Sequence, residues 1–87
     1  MLICFTENGW SDYESWQRED RKTVQKINTL LKDISRNGNS GLGKSEPLVG
    51  DLAGFWSRRI NDKDRLVYRL VGEEIQVLSC RYHYSDK

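Results

Sequence analysis

The only histidine of this chain, His83, stands in a run of aromatic and basic residues, Cys80-Arg81-Tyr82-His83-Tyr84. An imidazole has an ordinary pKa of about 6.5, so it is the side chain best suited to give or take a proton near neutral pH. A lone histidine near a C-terminus is nonetheless more often a surface residue than a catalyst. Upstream, residues 58–69 hold five basic residues (Arg58, Arg59, Lys63, Arg65, Arg69) against two acidic ones, Asp62 and Asp64. Guanidinium forks match the oxygens of a phosphate; the plain alternative is a solvated sheet face. Glu46 is one carboxylate among thirteen acidic residues. Trp56, Tyr82 and Tyr84 could stack on bases or fill a core and a sheet edge. A basic surface with one imidazole and one candidate carboxylate suggests RNA cleavage: a base, a phosphate-binding cation and an acid acting on a ribose–phosphate link.

The elements that must position these groups read as follows. Leu2–Phe5 is a short apolar strand. Trp10, Tyr13 and Trp16 recur at spacing three, one face of a short helix with Asp12 and Glu14 outside. Asp20 is a fitting N-cap for a second helix over residues 21–36, where Val24, Ile27, Leu30, Leu31 and Ile34 form the apolar stripe and Lys22, Lys26, Lys32 and Asp33 the opposite side. Asn37-Gly38 stops it. Asn37 to Gly43 follows a helix and not the strand that precedes a phosphate-cradling loop, so a flexible connector is expected. Pro47 pushes Glu46 toward extended backbone.

The final third reads as an antiparallel meander. Its strands are 54–60, 65–71 and 75–82, with turns at Asn61–Asp64 and Gly72–Glu74. In the middle strand Leu66, Tyr68 and Leu70 make an apolar face that should meet the helices. Arg65, Val67, Arg69 and Val71 form the other face. A three-residue hairpin loop would pair Val71 with Ile75 and Arg65 with Arg81, bringing Arg65, Arg69, Arg81 and His83 to one surface. A one-residue register change moves Arg81 and His83 to the opposite face. The order, strand, two helices, then meander, predicts an α+β fold with both helices on one face of a small twisted antiparallel sheet.

Length and composition bound the reading. Eighty-seven residues allow one domain, 1–87, with a thin core to which three Trp, four Tyr and two Phe contribute. Charged residues are 31% but balanced to a net +1, so any nucleic-acid site must be a local cluster. Cys4 and Cys80 have no metal-ligand spacing and lie in strand-like stretches, as expected for two buried free thiols of a cytoplasmic protein. No signal peptide and no membrane-spanning stretch are visible.

Several stretches closely resemble the YoeB/Txe family of the RelE superfamily: Gly-Phe-Trp-Ser-Arg-Arg-Ile (54–60), Arg-Leu-Val-Tyr (65–68), Cys-Arg-Tyr-His-Tyr (80–84), Glu-Pro-Leu (46–48) and Trp-x-Asp-Tyr (10–13). They keep the family's order over nearly the whole chain. The resemblance implies a microbial-ribonuclease-like fold and a ribosome-dependent mRNA endoribonuclease toxin, cutting in the ribosomal A site without metal or cofactor. It implies a cognate antitoxin of the YefM/Axe kind, and it allows a homodimer. By the match, Glu46 is the general base, Arg65 the phosphate-stabilising arginine, His83 the general acid and Tyr84 an active-site tyrosine. Lys44 and Arg59 match basic positions assigned to RNA contact, to which the basic cluster adds Arg58, Arg69 and Arg81. Val49-Gly50 stands where some members are basic, and Ser85-Asp86-Lys87 extends past the usual tyrosine ending. The rival readings are a translation inhibitor that occupies ribosomal RNA without cutting it, and a degenerate toxin fold kept as an interaction module. A pure binder needs neither base nor acid.

Overall fold

The computed structural model describes residues 1–82. Along them run β1 (Leu2–Phe5), α1 (Glu7–Glu19), α2 (Arg21–Asn37), β2 (Glu46–Pro47), a 3-10 turn (Gly50–Leu52), β3 (Trp56–Arg59), β4 (Arg65–Val71) and β5 (Glu74–Ser79). The sheet order is β1-β5-β4-β3-β2. β3, β4 and β5 pair antiparallel as the meander pattern predicts; the two-residue β2 adds antiparallel to β3, and β1 joins β5 in parallel, so the five-stranded sheet is mixed. Two helices separate β1 from the meander, which is ample chain for such a parallel return.

Each helix begins on a side-chain cap. Thr6 Oγ1 accepts from the Gly9 amide at 3.0 Å, and Asp20 Oδ1 accepts from the Lys22 amide at 3.1 Å. Such caps satisfy amide donors that have no partner inside the helix. Asp20 serves both helices, since its own amide donates to the Trp16 carbonyl and closes α1. Gly9 lets α1 lie directly on β5: a Cβ there would stand 2.6 Å from the Val77 carbonyl oxygen. Gly38 ends α2 at φ 63 and ψ −130, a region that glycine enters readily and other residues do not.

The core lies between the helices and one sheet face. Ile27, Leu30, Leu31 and Ile34 of α2 and Trp16 of α1 pack against Leu66, Tyr68, Ile75 and Val77. Fully burying one such aliphatic side chain contributes about 1.5–3 kcal/mol. Two residues expected in solvent are recruited inward. Asp12 is buried, accepting from the Cys80 amide at 3.0 Å and so tying α1 to the end of β5. Asp33 is only partly exposed and ion-paired to Arg58. The two cysteines differ: Cys80 is buried, and burial pushes its thiol up to about 12, whereas Cys4, on the edge strand β1, is exposed rather than buried. Among the described residues no helix is long and apolar enough to cross a membrane.

Candidate active site

Register decides which side chains meet. Glu46 pairs with Ser57, Ser57 with Val67, and Val67 with Ser79; one step along, Arg59 pairs with Arg65. Directly paired residues share a face, and residues two apart along a strand share it too. Glu46, Arg59, Arg65 and Arg69 therefore lie on one face, opposite to that of Leu66 and Tyr68, which the helices cover. Glu46, Arg59 and Arg69 are exposed and Arg65 is half-buried. The floor between them is a row of small or compact residues, Ser57, Val67 and Ser79. The Ser79 hydroxyl is buried there and has no hydrogen-bond partner among the described residues.

The hairpin between β4 and β5 corrects the expected register. Its loop holds two residues, Gly72 and Glu73, so Val71 pairs with Glu74 and Leu70 with Ile75. An irregularity at Val67/Tyr68 leaves Leu78 as an extra residue on β5 and restores the Val67–Ser79 pairing that a three-residue loop had implied. β5 ends at Ser79, however, so Arg81 never joins the ladder. Its guanidinium turns to α1: Nε and Nη2 donate to Ser15 Oγ at 3.0 and 2.8 Å, Nη2 pairs with Glu19 at 2.8 Å, and the group lies 3.8 Å over the Trp16 ring. It anchors the segment after β5 and does not join the Arg65 surface.

Arg58 is the other departure. It points to the helix side, opposite to Arg59, and its side chain has 0% exposure. All five of its N–H donors are used: Nε to Tyr68 Oη (3.2 Å), Nη1 to Asp33 Oδ2 (2.7 Å) and the Leu42 carbonyl (2.8 Å), Nη2 to the Gly38 (2.7 Å) and Ser40 (2.9 Å) carbonyls. Such a side chain is not available to RNA. Instead it pins the segment read as a flexible connector, which is stitched by its own backbone to a buried charge. The Arg58 guanidinium, by its hydrogen bond, holds the Asp33 carboxyl below the usual carboxylate range against a smaller opposing effect of burial, with help from the Leu42 amide and Asn37. Gly43 then sits against β3, accepting from the Arg59 amide at 2.6 Å at φ 81, where a Cβ would meet Arg59 backbone and Leu30. Lys44, exposed at φ 50, follows, and two residues later the chain enters β2 at Glu46. No local signal in the sequence announces this clamp, because the partners of Arg58 come from 10 to 25 positions away.

Arg65 is steadied by the turn before it, its Nη1 donating to the Asn61 and Asp64 carbonyls at 2.8 and 3.0 Å. Arg59 and Arg65 face each other directly across the strands, and neither has a carboxylate partner among the described residues. Like charges in that position repel; an anion between them would relieve the repulsion. Trp56 packs at the edge of the core and so is no base-stacking candidate, while Tyr82 is exposed with the Lys63 ammonium 5.5 Å from its ring centre. His83 and Tyr84 lie outside the described residues. No cluster of His, Cys, Asp or Glu that could hold a metal occurs among the described residues. A concave site of about 330 Å³ lies elsewhere, lined by Ile3, Phe5, Tyr13, Asn28, Leu31 and Lys32, with no carboxylate, imidazole or guanidinium in that lining.

The family described as "YoeB-like toxin of bacterial type II toxin-antitoxin system" matches residues 5–84. The chain belongs to that family. Toxin YoeB of Streptomyces coelicolor is 50% identical over 84 residues, covering 97% of this chain and all of that one. Among solved structures, a YoeB–YefM complex from Staphylococcus aureus contains a chain 46% identical with a TM-score of 0.91, covering 97% of this chain and 99% of that one. A YoeB dimer from the same organism gives 47%, a TM-score of 0.90, and 97% and 98% coverage. In this fold β2, β3 and β4 are adjacent, so Glu46, Arg59, Arg65 and Arg69 share the sheet face opposite to the helices.

Proposed function

We propose that this YoeB-family toxin, acting as one domain over residues 1–87, is an endoribonuclease that cleaves mRNA in the ribosomal A site. The observation that carries the reading is the exposed Glu46 carboxylate on the same sheet face, opposite to the helices, as the directly paired Arg59 and Arg65. Glu46 takes the proton of a ribose 2′-OH. The freed oxygen attacks the adjacent phosphorus, and the bond to the 5′-oxygen breaks. Arg65 and Arg59 offset the charge that builds on the phosphoryl oxygens. His83 protonates the departing 5′-oxygen and Tyr84 serves as a further active-site group, leaving a 2′,3′-cyclic phosphate and a 5′-hydroxyl. Atoms and charges balance without a metal or cofactor. Each proton transfer by a placed group is worth about 10²–10⁴ in rate. Held on the ribosome, the mRNA supplies alignment that a small open face does not provide alone.

The partners follow from relatives crystallised with YefM and as a dimer: an antitoxin of the YefM kind that shields the basic face or displaces His83 and Tyr84, and a second copy of the chain. The test is to map new 5′ ends on translating mRNA with wild-type, Glu46→Ala and His83→Gln proteins. Discrete cuts by wild type that both variants lose support the reading. Arrest of translation with no cut by wild type would replace it with occupancy of the ribosome.

A further inference from the structure

One group on the open face is built more carefully than surface contact requires. Arg69 is exposed, yet its pose is fixed from two sides. Its guanidinium lies 5.0 Å over the Phe55 ring, and its Nε donates to Gln76 Oε1 at 2.8 Å. Gln76 is itself oriented, since its Nε2 donates to Glu74 Oε1 at 3.0 Å, which turns the amide oxygen toward Arg69. Both terminal nitrogens, Nη1 and Nη2, make no hydrogen bond among the described residues, so a planar fork of donors is presented outward. A long exposed side chain normally loses much rotamer freedom on binding; one already held in place loses less.

The position of this fork gives it meaning. Arg69 pairs with Gln76, and the β3–β4 register, continued one residue, sets Phe55 beside it. That row lies two residues along the strands from the row of Glu46, Ser57, Val67 and Ser79, about 7 Å at the usual rise per residue. The Arg59–Arg65 row lies the same distance away on the other side. A step of that size is comparable with one nucleotide of an extended strand. We infer that Arg69, stacked on Phe55 and oriented by Gln76, forms a second nucleotide subsite one step from the scissile link, where its fork takes a pair of acceptor oxygens or nitrogens. The pair is either guanine O6 and N7 or two phosphate oxygens, both of which suit a guanidinium fork. The inference rests on RNA being the ligand of this face.

The test is binding of a short, uncleavable 2′-O-methyl RNA to the full chain at low salt, beside cleavage of translating mRNA. Arg69→Ala should weaken binding about tenfold, the loss of one bidentate contact. Gln76→Leu, which frees the arginine without removing it, should weaken binding less. Replacing one guanine by 7-deazaguanine separates the sources. A position where this reproduces the Arg69→Ala loss, and adds nothing in the variant, marks base recognition; a loss of equal size at every sequence, with Arg69→Lys nearly normal, marks a phosphate. Either outcome supports the subsite. Wild type that does not bind the RNA, or Arg69→Ala that binds as wild type does, overturns it. If wild type binds but translating mRNA stays whole, the ribonuclease reading fails while the subsite stands.

Discussion

Replacing Arg58 by lysine keeps the charge and most of the length but removes the fork. The guanidinium satisfies five acceptors, and an ammonium has three donors, so at least two of them lose their bond. At about 1–1.5 kcal/mol for each bond lost from a largely buried setting, Arg58→Lys should cost roughly 2–3 kcal/mol. In a domain of this size that lowers Tm by roughly 10–20 °C. Tyr68→Phe, which removes the acceptor of Nε and the 3.1 Å bond that the hydroxyl donates to Asn39 Oδ1, should cost about 1–2 kcal/mol. The assay is urea or thermal unfolding followed by circular dichroism, with Arg59→Lys as the exposed control, expected within about 0.5 kcal/mol of wild type. The clamp also positions the chain that leads to Lys44 and Glu46. Arg58→Lys should therefore lose cleavage at temperatures where it is still folded. Stability of Arg58→Lys equal to that of the Arg59→Lys control would refute the reasoning, and would mean that the loop holds itself without the buried guanidinium.

Further consequences follow from particular side chains. Because Arg58 holds the Asp33 carboxyl below its unfolded value of 3.8, the stability from this pair is complete above that value and is lost as pH falls through the lower folded one; Asp33→Asn should flatten the acid limb of a stability–pH curve, and an unchanged limb would contradict the pairing. Native protein should react with one equivalent of a thiol reagent, at exposed Cys4, while Cys80, buried and pushed up to about 12, reacts only after unfolding; two fast thiols in the native state would disprove that burial. Trp16→Phe removes the 2.9 Å bond from Nε1 to the Cys80 carbonyl and the surface under Arg81, so unfolding measurements should show a loss of about 1–2 kcal/mol.

The sequence revealed what depends on near neighbours. Asp20 and the Val24–Ile34 stripe located α2 almost to the residue, and the alternation of Leu66, Tyr68 and Leu70 chose the face of β4 that meets the helices. What stayed hidden depends on distant contacts. Arg58 and Arg59 look alike in the chain, yet strand alternation sends one into the core and the other onto the candidate site, and Asp33 becomes the partner of Arg58 only through folding. Cys4 sits in an apolar run but on an edge strand, so it is exposed. Arg81 follows the end of β5, where periodicity no longer applies and Trp16 captures it. In the sequence Glu46 is one carboxylate among thirteen acidic residues, and only its likeness to a family position distinguishes it. Its pairing with Ser57 is a physical reason to place it beside the arginines.

The central claim is that the 2′-oxygen of the RNA itself is the nucleophile, freed by Glu46, while Arg65 offsets the charge on the phosphoryl oxygens. The direct measurement replaces the ribose at the mapped cut with a single 2′-deoxyribose in an mRNA loaded on ribosomes, then follows single-turnover cleavage by the wild-type protein. The account predicts that the deoxy site is not cut, while the all-ribose message gives an upstream fragment ending in a 2′,3′-cyclic phosphate. Cleavage of the deoxy site at an undiminished rate would contradict it.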